Sequence, residues 1–169
     1  MNWLTKAINF GEKIKKVLKK CKQSGVNGLI VVDLPWPENK NFANKCKKKS
    51  ISFIQLLSPT TSKERLIKII KDSHDMIYYI SMLSTTGGKL KVSPKQILIN
   101  YNKIKKIDRK KNCVIGFGIT DKTISKLKTA DGLVVGSAIC KEITNSLNNR
   151  QNIVTNVSKV VTRLKNKIS

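Results

Sequence analysis

The chain has 169 residues, 40% hydrophobic and 26% charged, with 34 Lys+Arg against 10 Asp+Glu and a formal net charge of +24. That length suits one domain with a real core and excludes two full ones, and the spread of apolar residues excludes collagen-like, disulfide-scaffold and wholly disordered classes. No stretch approaches the roughly 18 consecutive apolar residues of a membrane-spanning helix. The segment from Met1 lacks the apolar run and cleavage site of a signal peptide, so a cytoplasmic location without membrane association is expected. The positive excess is almost all lysine, the arginines being Arg65, Arg109, Arg150 and Arg163. Arginine is the residue of bidentate phosphate and base contacts. Compositional drift is therefore the first reading of the charge and a polyanion surface the second, with no nucleic-acid partner expected.

In chain order, Ile14, Val17, Leu18 and Cys21 share one helix face. Gly28–Asp33 and Ser52–Leu57 then read as continuous apolar strands. Leu66, Ile69 and Ile70 mark a helix, Met76–Ser81 a strand, and Ile97, Tyr101 and Ile104 another helix. Cys113–Phe117 is the fourth strand. Thr120-Asp121 starts a short helix carrying Ile124 and Leu127 inward. Gly132–Gly136 is the fifth strand, Ser137 caps a helix through Ile143, and Val154, Val157, Val161, Leu164 and Ile168 line the last helix. A helix, five strand–helix units and a final helix predict an α/β fold with a parallel sheet and right-handed crossovers. Cys21, Cys46, Cys113 and Cys140 lack C-x-x-C spacing and sit in apolar-periodic segments, as reduced, buried thiols do. With His74 the lone histidine, no zinc site is expected.

Parallel α/β folds bind ligands at the carboxyl ends of strands. There, Gly116 and Gly118 permit close backbone approach to an anion. Gly136-Ser137 opens a helix whose free N–H groups and dipole favour negative charge. A phosphate site is one reading of these loops, and plain tight turns the other. Thr85-Thr86-Gly87-Gly88 suits a mobile lid or an ordinary flexible loop. Asp33 is the only carboxylate at a strand's carboxyl end. It reads as a turn residue before Pro35, or as an acid–base group. His74 precedes a strand on the opposite side and reads as a surface or turn residue. Tyr78 and Phe117 read as core or as pocket lining.

Taken together, several segments resemble the tryptophan synthase alpha chain family. They are Ser24-Gly-Val-Asn-Gly-Leu-Ile-Val-Val-Asp-Leu-Pro35, Gln55-Leu-Leu-Ser-Pro-Thr-Thr61, Ile77-Tyr-Tyr-Ile-Ser81 with Thr86-Gly87, Val114-Ile-Gly-Phe-Gly-Ile119, and Ala130-Asp-Gly-Leu-Val-Val-Gly-Ser-Ala-Ile139. They follow the family's order and spacing over about residues 10 to 145. The resemblance implies a single incomplete domain over 1–169: part of a TIM (β/α)8 barrel, open rather than closed, with five parallel βα units matching its strands 4 to 8. It implies retro-aldol cleavage of indole-3-glycerol phosphate to indole and glyceraldehyde 3-phosphate, without a cofactor or metal. It implies a tryptophan synthase beta chain as partner in an alpha2-beta2 tetramer, met through the Asp33-Leu-Pro-Trp-Pro loop.

By the same resemblance, Gly87, Gly118, Gly136 and Ser137 bind phosphate, and Tyr78, Phe117, Thr86, Leu56 and Val32 form the substrate pocket. Ser84 and Thr85 replace the family's glycine and valine before Thr86. The family's catalytic glutamate and aspartate belong to a segment that is not among these residues. That implies no catalytic residue here and no activity of these residues alone. The competing readings are a non-catalytic phosphate-ligand-binding or partner-binding half barrel and, third, a polyanion binder. An open five-strand sheet with two unpaired edges is also expected to be marginally stable.

Overall fold

The computed structural model describes residues 3–81, 83–85, 88–90, 92–116 and 119–169, with backbone alone for 3–11, 83–85 and 88–90. Helix α1 spans Trp3–Gln23, α2 Lys40–Lys47, α3 Lys63–Asp72, α4 Pro94–Ile107, α5 Ser137–Asn148 and α6 Ile153–Asn166. The strands are β1 (Gly28–Leu29), β2 (Ser52–Phe53), β3 (Gln55–Leu57), β4 (Met76–Ile80), β5 (Leu83–Thr85), β6 (Gly88–Leu90), β7 (Asn112–Gly116) and β8 (Gly132–Val134). β1 pairs with β2, and β3-β4-β7-β8 form a second sheet, all parallel; β5 and β6 make a small antiparallel ribbon. β2 and β3 are the two halves of the expected second strand, parted at Ile54. The order is that of consecutive βα units, and the sheet does not close on itself. This is the expected open part of a barrel.

Period-two alternation sets the two sheet faces apart. Phe53, Gln55, Leu57, Ile77, Tyr79, Cys113 and Ile115 are buried under the helices, whereas Ile54, Leu56, Tyr78, Ile80 and Val114 are half-buried. The helix-covered face carries the main core with Ile69, Ile70, Ile97, Tyr101 and Ile104. A second cluster joins Leu18 of α1 to Ala43, Cys46, Ile51 and Phe53. The other face, which would line a closed barrel, stays partly open. Three exposed apolar residues lie near the free edges: Ile30 at 45% and Val32 at 71% after β1, and Val134 at 39% on β8.

Several local readings change. The first strand ends at Leu29 rather than Asp33, because its ladder to β2 stops where Ile54 N–H reaches the Leu29 carbonyl at 2.9 Å. The lid segment contains the β5–β6 ribbon, not only a loop. The short 3-10 helix covers Ile124–Leu127 with Thr123 at its N-cap. Asp121 instead holds Arg163 of α6 at 2.8 Å and Lys167, just past its end, at 2.9 Å. Finally, α6 buries Val160 and Leu164, while Val154 and Val161 are 75% and 47% exposed, because the apolar stripe is wider than the surface α6 packs against. Among the thiols, Cys46 and Cys113 are buried, Cys21 is half-buried, and Cys140 is exposed, contrary to its apolar setting in the sequence. Burial pushes the Cys113 thiol up to about 12 and, with nearby Cys21, the Cys46 thiol to about 11. Both stay protonated and inert.

Where the two sheets part, an amide pair takes over from the β-ladder. Asn39 Nδ2 donates to Gln55 Oε1 at 2.8 Å and to the Leu34 carbonyl at 3.2 Å, and Gln55 Nε2 donates back to Asn39 Oδ1 at 3.3 Å. Both side chains are buried. They tie the 34–39 loop to β3. Asn39→Leu or Gln55→Leu leaves one amide buried without its partner and is expected to cost about 1–3 kcal/mol in urea unfolding. The double variant should cost less than the sum of the two. Strict additivity would show that the pair is not coupled.

Candidate functional site

The strand register sets which side chains share the half-open face. Leu56 pairs with Tyr78, Tyr78 with Val114, and Val114 with Gly132; one step onward, Ile80 pairs with Gly116 and Gly116 with Val134. Tyr78 therefore rises from the middle of the sheet, and its ring lies over Gly116. A Cβ built on Gly116 would fall 1.8 Å from the Tyr78 hydroxyl oxygen and 2.2 Å from the ring carbon bearing it. Glycine is required there by the tyrosine. Burial raises the Tyr78 phenol above its ordinary value, so it stays protonated. The Ser81 hydroxyl donates to the Gly116 carbonyl at 2.8 Å and fixes the strand end from behind.

Gly136 and Ser137 lie past the end of β8. Gly136 is the N-cap of α5 (φ −108°) and Ser137 its first residue, so Ser137 does not cap the helix as the sequence suggested. The helix also runs five residues beyond Ile143. The first α5 amides to bond within the helix are Ile139 and Cys140, both to the Gly136 carbonyl, at 3.0 and 3.1 Å. Ser137 and Ala138 N–H groups precede them, at the positive end of the helix dipole. Among the described residues, no atom outside its chain neighbours lies within 4 Å of a Cβ built on Gly136. Packing therefore does not explain that glycine. Both residues are exposed.

Leu56 and Val32 line one cavity of about 490 Å³, which also touches Ile80 and runs under the 34–37 loop. Val32 reaches it from a turn rather than from a strand, and Tyr78 is not part of its wall. Asp33 lies on the same turn and is exposed. Gly87, Gly118, Thr86 and Phe117 lie outside the described residues. The structure thus brings Leu56 and Tyr78 side by side, sets Val32 across a cavity from Leu56, and leaves Gly136-Ser137 at the far end of the strand row.

Three features had no clear sequence signal. The Trp36 indole N–H donates to Asp72 at 2.8 Å, with Lys40 3.0 Å from the same carboxylate and the Arg65 guanidinium 5.6 Å from the ring. These contacts pin the 33–39 loop and, led by the indole, hold the Asp72 carboxyl below its ordinary value. At the opposite end, Asp131 Oδ2 accepts from Lys105 and from Cys113 N–H, each at 2.8 Å. Burial opposes ionisation there, but these donors outweigh it and keep the carboxyl below its ordinary value. His74 proves to be more than a turn residue: its Nδ1 accepts the Phe53 N–H at 3.1 Å, tying two strand starts together. Among the described residues, no group of three or more His, Cys, Asp or Glu could hold a metal ion.

An open row of parallel strands in consecutive βα order, with helices on one face, is part of a (β/α) barrel. The tryptophan synthase alpha chain family matches residues 1–169, and the chain belongs to that family. It is 72% identical over 149 residues to the tryptophan synthase alpha chain of Pelagibacter ubique, covering 88% of this chain and 56% of that relative. The match to the Methanocaldococcus jannaschii alpha chain is 38% over 137 residues, 79% of this chain and 47% of the relative. The chain thus spans about half the length of these curated relatives. In fold it is similar to the tryptophan synthase alpha subunit of Legionella pneumophila (TM-score 0.79, 24% identity, 98% of this chain and 60% of that one). It is also similar to a chain of the tryptophan synthase complex of Pyrococcus furiosus (TM-score 0.73, 30% identity, 90% of this chain and 60% of that one). No described helix is long and apolar enough to cross a membrane.

Proposed function

We propose that these residues form the phosphate-binding side of an indole-3-glycerol-phosphate lyase of tryptophan biosynthesis, corresponding to strands 4 to 8 of its barrel. The observation that carries the reading is the helix start at Gly136-Ser137, open at the end of a strand row that presents Leu56 and Tyr78 to the same face. Gly118 and Gly87 complete the phosphate cradle, and Thr86 and Phe117 complete the pocket. Leu56, Tyr78 and Val32 supply apolar wall for the indole end of the substrate.

The wall and cradle bind and orient; acid–base chemistry needs two positioned carboxylates that these 169 residues do not supply. Asp33 is exposed on a turn and does not stand in for them. The remaining βα units of the barrel would cover the half-open face and pair with the free edges of β1 and β8. The 33–37 loop would meet a tryptophan synthase beta chain in an alpha2-beta2 assembly. The protein acts in the cytoplasm.

Titration with glycerol 3-phosphate, followed by the amide signals of Ser137 and Ala138, tests the cradle. Ser137→Ala removes one hydroxyl donor and should weaken binding about fivefold to tenfold, from a lost bond to a charged group. Gly136→Val should abolish binding while the helix still forms, since its side chain enters free space. Unchanged affinity in both variants would sink the assignment.

A further inference from the structure

The parting of the sheet at Ile54 divides the molecule into two layers with separate cores. Helices α1 and α2 and strands β1 and β2 enclose Leu18, Ala43, Cys46, Ile51 and Phe53. The four-stranded sheet and its helices enclose the larger cluster around Ile77, Tyr79, Cys113 and Ile115, with Trp36 of the 33–39 loop packed against it. Among the described residues, three sets of polar contacts cross the seam. One is the Asn39–Gln55 amide pair, and a second joins Trp36 and Lys40 to Asp72, with Arg65 on the Trp36 carbonyl. The third is the bond from the Phe53 N–H to His74 Nδ1 at 3.1 Å. We propose that His74 is a pH-operated latch on this seam: neutral, it clamps the α1–β1–α2–β2 layer to the four-stranded sheet, and protonated, it lets that layer open on its own.

The device follows from the chemistry of the bond. Carried back two residues, the register in which Gln55 pairs with Ile77 would set Phe53 beside Asp75. The ladder ends before that point, and the imidazole takes the N–H that a strand carbonyl would otherwise accept. Nδ1 accepts only while it keeps its lone pair; an imidazolium has two donors and no acceptor. Phe53 is 2% exposed, so protonation sets its N–H, away from water, against a second donor.

The half-buried ring lines a polar cavity of about 530 Å³, which gives protons access to it. Lys47 faces that cavity from the end of α2, Lys71 and Asp72 from the end of α3, Asp75 from beside the ring and Lys111 from just before β7. The Lys111 ammonium donates to the Ser73 carbonyl at 2.8 Å and to that of His74, and Asp72 already serves Trp36 and Lys40. Burial first, then Lys47 and Lys111 against Asp75, hold the imidazole below its ordinary value. Opening the layer returns the ring to water, so the open form binds the proton more tightly. The clamp is therefore fully present above the ordinary histidine value and weakens as pH falls through it. The other two contacts do not change over that range: the amide pair carries no charge, and the Trp36 indole and Lys40 hold the Asp72 carboxyl low and ionised.

The 169-residue chain is followed by its ring and amide signals between about pH 8 and pH 5, a range that spans the ordinary histidine value. The ring carbon–proton signal of His74, the only histidine, should titrate below an exposed imidazole, and the Phe53 amide signal should move with the same midpoint. Hydrogen-exchange protection of the Ala43, Cys46 and Ile51 amides, corrected for intrinsic rates, should fall at least about fivefold relative to that of Ile77, Tyr79, Cys113 and Ile115. His74→Asn places an amide oxygen near the position of Nδ1 and takes up no proton, so it should keep the Phe53 bond and remove the pH dependence of that difference. The proposal is overturned if the Phe53 amide does not follow the His74 titration. It is overturned too if neither layer loses protection, if both lose it in equal measure, or if His74→Asn loses it as the native chain does.

Discussion

Gly116→Ala is expected to destabilise the chain by about 1–3 kcal/mol, and Gly116→Val by more, as overpacking of a filled site does. The added Cβ meets the Tyr78 hydroxyl at 1.8 Å and ring carbons at 2.2 and 2.6 Å. No contact that short survives, so the ring or the strand must move. The ring cannot simply swing away, because its Cα is fixed by β3 on one side and β7 on the other. Tyr78→Leu shortens the side chain and relieves the clash. Gly116→Ala in the Tyr78→Leu background should therefore cost much less than in the native chain, a coupling readable in a double-mutant cycle of urea midpoints. If the alanine costs the same in both backgrounds, the tyrosine is not what requires the glycine. Gly136→Ala is the contrasting case: no described residue beyond its neighbours lies within 4 Å of its Cβ, and stability should hardly change.

The contrast shows how far the sequence could be read. Both glycines stand at strand ends in loops that resemble phosphate turns, and from sequence they look alike. The structure separates them: Gly116 is glycine because a neighbouring strand's side chain needs the space, whereas no described atom crowds a Cβ at Gly136. The helix and strand order was legible because each unit carries its own periodicity, and the parallel pairing follows from strict alternation. Strand length was not. Ile30–Val32 are as apolar and β-branched as any strand, yet they leave the ladder, because pairing depends on a neighbour and not on propensity. The Asn39–Gln55 pair was invisible for the same reason, since two polar residues sixteen apart carry no period. His74 gave no signal because its role rests on a backbone N–H donor. On α6 the stripe was visible but its centre was not: sequence marks every apolar residue, and packing chooses Val160 over Val154 and Val161.

The largest effect expected is on chemistry. On the proposed lyase reading, the 169 residues alone should release no indole from indole-3-glycerol phosphate above the solvent background, because that reading places both catalytic carboxylates on other βα units and each positioned acid or base supplies about 10²–10⁴-fold. The same chain should bind a dye that reports exposed apolar surface, because Ile54, Leu56, Tyr78, Ile80 and Val114 face a half-open space and Val32 is 71% exposed. These two properties share one cause and should be lost together. Supplying in trans the part of the Pelagibacter ubique relative outside its match to this chain should quench the dye and raise indole formation by at least about 10²-fold. Quenching without activity would mean that the added units close the sheet but do not bring a catalytic pair to the Gly136-Ser137 end, and the lyase assignment would fall while the barrel stood. Indole release by the unaided chain at the complemented rate would show instead that a group on these five units performs the proton transfers. Asp33, on the turn that follows β1, would then be the first residue to replace.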